Sequence, residues 1–144
     1  MNRHAGFVVE LPTDLPPDEA LRRVLDLRAH DRIIPLTRVT PAMPAGALTA
    51  GTRFVARTSL GPVGFDDPMR IEKLSFVPAS ATIVKLGRVI RGVVSVEVTS
   101  SAGACLVRWS QSVDLPWLPG VLQSAAARVL KAGYRRVLQR LLSG

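Results

Sequence analysis

The sequence predicts an α+β fold in which one antiparallel sheet is closed by a single long helix. Two observations carry this. Trp117 to Leu142 repeats apolar residues at helical spacing, whereas almost everything from Ile34 to Asp114 reads as successive strands joined by short turns. Short turns join antiparallel neighbours. A sheet with one apolar face must bury it, and only the last helix is long enough to cover it, so the space between them is core or pocket.

The elements follow in order. Gly6-Phe7-Val8-Val9-Glu10-Leu11 alternates as a first strand, with Pro12 as its expected stop. Thr13 to Glu19 is polar and proline-bearing, a composition that suits a first helical turn, where backbone N–H groups lack helical partners. Ala20, Leu21, Val24, Leu25 and Leu27 form one helical stripe, and Ala29 to Ile33 adds a second short helix before Pro35. Strands are then predicted at Leu36–Thr40, Thr52–Leu60, Pro68–Phe76, Ala81–Ile90, Val93–Ser100 and Ala104–Leu115. Val94, Val96 and Val98 alternate with Ser95, Glu97 and Thr99, the pattern of one buried and one wet face. Pro116 and Pro119 end the last strand and admit the closing helix, whose wide stripe runs from Leu118 to Leu142. Its opposite face holds Gln123, Arg128, Lys131, Arg135, Gln139 and Arg140.

Composition narrows the function. The 144 residues suit one domain, 1–144, and mean hydropathy is +0.23, but no apolar run approaches the roughly 20 residues of a bilayer span. The start lacks a secretory signal, so a cytoplasmic location is expected. The single cysteine, Cys105, sits in an apolar strand and reads as a small core residue. Net charge is +8, yet aromatics interleaved with the basic helix face are scarce, which argues against nucleic acid. No phosphate-binding loop, dinucleotide fingerprint or nucleophile elbow occurs, and two histidines and one cysteine lack ligand spacing, so neither cofactor nor metal is expected.

The stretch Arg28-Ala29-His30-Asp31-Arg32-Ile33-Ile34-Pro35-Leu36-Thr37, the segment Gly61-Pro62-Val63-Gly64-Phe65-Asp66-Asp67-Pro68-Met69 and the closing helix resemble the START-like SRPBCC superfamily. Within it, the resemblance is to the polyketide cyclase/dehydrase and lipid-transport group. It covers essentially the whole chain, and implies the helix-grip (START-like) fold. That fold is a curved antiparallel sheet of about six or seven strands wrapped around a long C-terminal helix, with two short helices after the first strand. It also implies an apolar cavity for a hydrophobic, polyketide- or lipid-like small molecule, in some relatives with cyclase or aromatase chemistry.

Candidate residues follow from this frame. His30, beside Asp31 at a helix-to-strand corner, either handles protons or packs the corner. Asp66 and Asp67 read as turn residues, the alternative being that one carboxylate faces the cavity mouth and pairs with His30 or an arginine; in extended chain the two point to opposite faces. His30 and Asp67 are the catalytic candidates. Cys105, Val107, Trp109, Gln111 and Val113 share one face of the last strand, making Trp109 a wall and Gln111 a polar group aimed inward. Phe54, Thr58, Met69 and Ile71 are expected to line neighbouring strands as ligand contacts or plain core. The rival expectation is an interaction or anionic-membrane-surface module built on Arg135, Arg136 and Arg140 of the basic closing helix.

Overall fold

A computed structural model describes residues 5–101 and 103–143. In chain order the elements are β1 (Ala5–Thr13), α1 (Pro17–Val24), α2 (Leu27–Ile33), β2 (Thr37–Thr40), β3 (Arg53–Leu60), β4 (Val63–Phe76), β5 (Ala79–Leu86), β6 (Arg91–Ser101), β7 (Ala104–Val113) and α3 (Gly120–Ser143). The seven strands form one fully antiparallel sheet in the order β1-β7-β6-β5-β4-β3-β2. Strands β2 to β7 are a simple meander. Strand β1 pairs with β7 instead of with β2, so consecutive strands β1 and β2 occupy opposite edges and the α1–α2 connection must cross the sheet between them.

That crossing determines what is buried. Leu21 and Val24 of α1 are fully enclosed against the sheet, together with Val9, Ile71, Val94, Val96 and Val107. Each such side chain contributes roughly 1.5–3 kcal/mol through removal from water. Asp26 caps α2 by accepting from the Arg28 backbone N–H at 3.1 Å, and Asp31 accepts from the Val39 N–H at 2.8 Å, tying α2 to β2.

Three boundaries differ from the sequence reading for a physical reason. Strand β1 runs through Pro12 to Thr13, because β1 is an edge strand and proline is tolerated where no further ladder hydrogen bond is required. Strand β4 begins at Val63, five residues before Pro68, so Asp66 and Asp67 lie in extended chain and not in a turn; the turn is confined to Gly61-Pro62, with Gly61 at φ 59°. Strand β4 also carries a register shift between Ile71 and Lys73, and such a bulge bends the strand. Strand β6 starts at Arg91 because Gly92 allows close approach: a Cβ there would stand 1.9 Å from the Ser112 carbonyl oxygen.

The closing helix departs most from expectation. It packs on β1, α1 and α2 and buries Ala127, Leu138 and Leu141, but Val121 (86% exposed), Val129 (73%) and Leu122 (47%) face outward. The stripe read as continuous core is thus buried mainly toward its C-terminal half. A helix of 24 residues is roughly 36 Å long, and from Val129 to Arg140 one side of it borders an opening in the fold. Gln123, assigned to the wet face, turns back to donate to the carbonyls of Leu115 and Leu118 at 2.8 and 2.9 Å and accepts from the Leu115 N–H, fixing the β7–α3 connection.

Candidate functional site

The sheet, α1, α2 and α3 enclose two adjoining chambers. The inner one, about 70 Å³, is walled by apolar side chains including Leu27, Phe54, Met69, Ile71, Ile83 and Trp109, and takes its polar groups from His30, Asp67, Lys85 and Tyr134. The outer one, about 560 Å³, opens between the C-terminal end of α2, the β3–β4 hairpin and α3, with Phe65, Ile90, Val129 and Val137 among its walls. Ile34, Ala56, Asp67 and Tyr134 border both chambers and form the constriction between them.

The constriction holds the most unusual chemistry of the fold. Alternation along β5 puts Ala81, Ile83 and Lys85 on the inner face, so a lysine stands where a core residue is expected. Its Nζ donates to Asp67 Oδ2 at 2.6 Å, to Tyr134 Oη at 3.5 Å and to Met69 Sδ at 3.6 Å. The Lys85 and Asp67 side chains are only 1% and 9% exposed. Burial works against the Lys85 ammonium, but the Tyr134 phenol and the Asp67 carboxylate outweigh it, and the lysine is held above its ordinary value. Tyr134 is itself clamped, its ring stacking on Trp109 at 5.4 Å and on Phe7 at 5.7 Å between centroids.

Asp66 and Asp67 point to opposite faces, as extended chain requires. Asp66 meets the exposed Arg57 at 2.9 Å, while Asp67 turns inward to a lysine and not, as one alternative had it, to His30 or an arginine. Asp67 Oδ1 is buried and has no hydrogen-bond partner among the described residues. Leaving such an atom unpaired costs on the order of 1–3 kcal/mol.

His30 sits within α2, facing the inner chamber. Its Nε2 lies 2.6 Å from the Val24 carbonyl, which can only accept, so Nε2 carries the proton and Nδ1 is the free lone pair of the neutral ring. The residue as a whole is half-buried but its ring is desolvated. Burial, aided by the Lys85 charge, depresses its pKa despite the opposing Val24 carbonyl and Asp26, which keeps the ring neutral near pH 7.

The other sequence candidates divide. Phe54, Met69, Ile71 and Trp109 line the inner chamber, whereas Thr58 lies in the outer one, where its hydroxyl bonds to that of Thr37 at 2.8 Å. Gln111 borders neither chamber; its Oε1 accepts from Trp109 Nε1 at 3.1 Å and its Nε2 is unpartnered. Lys85 and Tyr134 escaped the sequence reading. The signal for Lys85 was the cation at an inward position of an alternating strand; Tyr134 carried none beyond being the sole tyrosine. Among the described residues, no group of three or more potential metal ligands occurs.

The geometry is that of a sheet gripping a helix around an apolar, polar-throated pocket. Residues 5–143 match the family model described as polyketide cyclase / dehydrase and lipid transport, and the chain belongs to that family. Solved structures agree on the fold. The protein TTHA0849 of Thermus thermophilus superposes with a TM-score of 0.75 at 13% identity, covering 96% of this chain and 94% of that one. The Zhui aromatase/cyclase from Streptomyces sp. R1128 gives 0.70 at 11%, covering 98% and 93%. Ara h 8.0201 gives 0.70 at 12%, covering 99% and 100%. None of the curated proteins matches the sequence. The fold is therefore the helix-grip fold, with a sheet of seven strands, and it is of a kind that binds hydrophobic ligands.

Proposed function

We propose that the protein binds an apolar small molecule, polyketide- or lipid-like, in the two joined chambers, with its polar end at the constriction. The observation that carries this reading is the buried Lys85–Asp67–Tyr134 cluster bordering otherwise apolar space. A structural core gains little from an ion pair there, because desolvation offsets most of the Coulombic gain. A pocket gains orientation from it. If the bound molecule is turned over, as in a ring-closing cyclase, Asp67 Oδ1 and His30 Nδ1 are the proton acceptors, and the Tyr134 hydroxyl, itself accepting from Lys85, polarises a carbonyl.

Ala56 tests the binding reading, since it borders both chambers. Ala56→Trp should fill the constriction, leave the unfolding transition in place and reduce binding of the neutral dye Nile red by at least about tenfold, or about 1.4 kcal/mol. Unchanged dye affinity in a folded variant would refute it.

A second reading, docking on an anionic membrane surface, draws on one observation. Exposed Val121, Leu122 and Val129 lie on α3 beside Arg128, Lys131, Arg135, Arg136 and Arg140, and the helix contains no acidic residue. Apolar area beside unbalanced cations suits a lipid surface of negative charge. No helix among the described residues is long and apolar enough to cross a membrane. Sedimentation with phosphatidylglycerol vesicles, but not phosphatidylcholine vesicles, should weaken with salt and with Arg135→Gln, Arg136→Gln and Arg140→Gln combined; indifference to vesicle charge would discard this reading.

A further inference from the structure

We infer that the polar end of the bound molecule is a neutral hydroxyl, as in an alcohol, phenol or enol, seated at Asp67 Oδ1 and Tyr134 Oη, and that carboxylates are rejected. This rests on the chambers being a ligand pocket, as proposed above, and adds the chemistry of the group they select.

Hydrogen-bonding capacity at the constriction decides which group fits. An ammonium group has three protons, and those of Lys85 are directed at Asp67 Oδ2, Tyr134 Oη and Met69 Sδ. Its charge is matched by the Asp67 carboxylate at 2.6 Å, so the throat presents a neutral ion pair and not a free cation. What remains unused is one acceptor and one donor. Asp67 Oδ1 is buried without a partner, in a residue that is 7% exposed and borders both chambers. Tyr134 Oη accepts from Lys85, and its own proton has no acceptor among the described side-chain hydrogen bonds.

A hydroxyl is the smallest group that satisfies both, donating to Asp67 Oδ1 and accepting from Tyr134. An enolised 1,3-dicarbonyl does the same with a hydroxyl and a carbonyl. An ionised carboxylate accepts from Tyr134 but sets its charge against the Asp67 oxygen, in space poorly screened by water, and has no proton for it. Aliphatic or aromatic walls on either side of the constriction leave the remainder of the molecule apolar.

The matched pair 4-octylphenol and 4-octylbenzoate differs in this group alone. Displacement of Nile red from the wild-type protein at pH 8, where the benzoate is ionised and the phenol is not, should show the phenol binding at least about tenfold more tightly. Asp67→Asn removes the carboxylate and leaves the Lys85 charge unmatched, so the benzoate should gain and the preference should shrink by at least about tenfold or reverse. Tyr134→Phe keeps the stacked ring and removes only the hydroxyl, so phenol binding should fall several-fold relative to the variant's own Nile red affinity; this variant stands in should Asp67→Asn fail to fold. Equal or tighter binding of the benzoate by wild type overturns the hydroxyl assignment while leaving the pocket intact. Failure of wild type to bind Nile red and both ligands overturns the pocket reading itself, and the inference with it.

Discussion

Lys85→Met isolates the energetic consequence of the buried pair. The substitution preserves most of the side-chain volume but leaves Asp67 with neither oxygen partnered by the lysine, in a site where its side chain is 9% exposed. Breaking a buried pair by removing one member typically costs about 3–5 kcal/mol, since the remaining charge is stranded. At about 2.1 cal/mol/K per residue, the 144 residues give an unfolding entropy near 0.3 kcal/mol/K, so the loss corresponds to a fall in Tm of roughly 10–16 °C. Adding Asp67→Leu removes the stranded charge and should recover most of the loss, because apolar replacement of a whole buried pair is often neutral or stabilising. Thermal unfolding of the wild type, both single variants and the double variant, followed by circular dichroism at pH 7, supplies the complete cycle. A fall below about 3 °C in Lys85→Met, or a double variant no more stable than that single, would show that the pair is solvated and the reasoning wrong.

Two further predictions rest on separate features. Burial holds the His30 pKa below its ordinary 6.5, so the folded state favours the neutral ring; its contribution to stability is complete above about 6.5 and is lost as pH falls from there through the lower folded value. Tm should therefore drop between pH 7.5 and 5.5, and His30→Gln, which keeps a donor for the Val24 carbonyl, should flatten that drop; an equal slope in the variant would deny His30 the role. Along α3, Leu138→Ala should cost about 2–5 kcal/mol and Val121→Ala less than about 0.5, since Leu138 is 1% exposed and Val121 is 86% exposed. Comparable losses at the two positions in denaturant unfolding would mean that the N-terminal half of the helix is covered after all.

The long helix was legible because its apolar residues recur at helical spacing, and the meander because its strands alternate and its turns are short. Alternation also separated Asp66 from Asp67 and placed Phe54, Met69, Ile71 and Trp109 on inward faces. Periodicity assigns a residue to a face but says nothing of what stands opposite. The Asp67–Lys85 pair joins positions 18 residues apart across β4 and β5, and the Lys85–Tyr134 bond joins positions 49 apart. The register that sets Met69 opposite Lys85 across β4 and β5, and the packing of Tyr134 on α3 over that face, bring those groups together.

By itself, then, the sequence determined the order of elements and the sidedness of each strand, which depend on local periods of two and 3.6 residues. Tertiary structure decided the rest. It put β1 beside β7, left Val121, Leu122 and Val129 of the α3 stripe exposed, and made Lys85, which the strand pattern alone had not singled out, the centre of the site. The physical reason is that burial and pairing belong to the space between elements, and that space exists only once the sheet has closed around the helix.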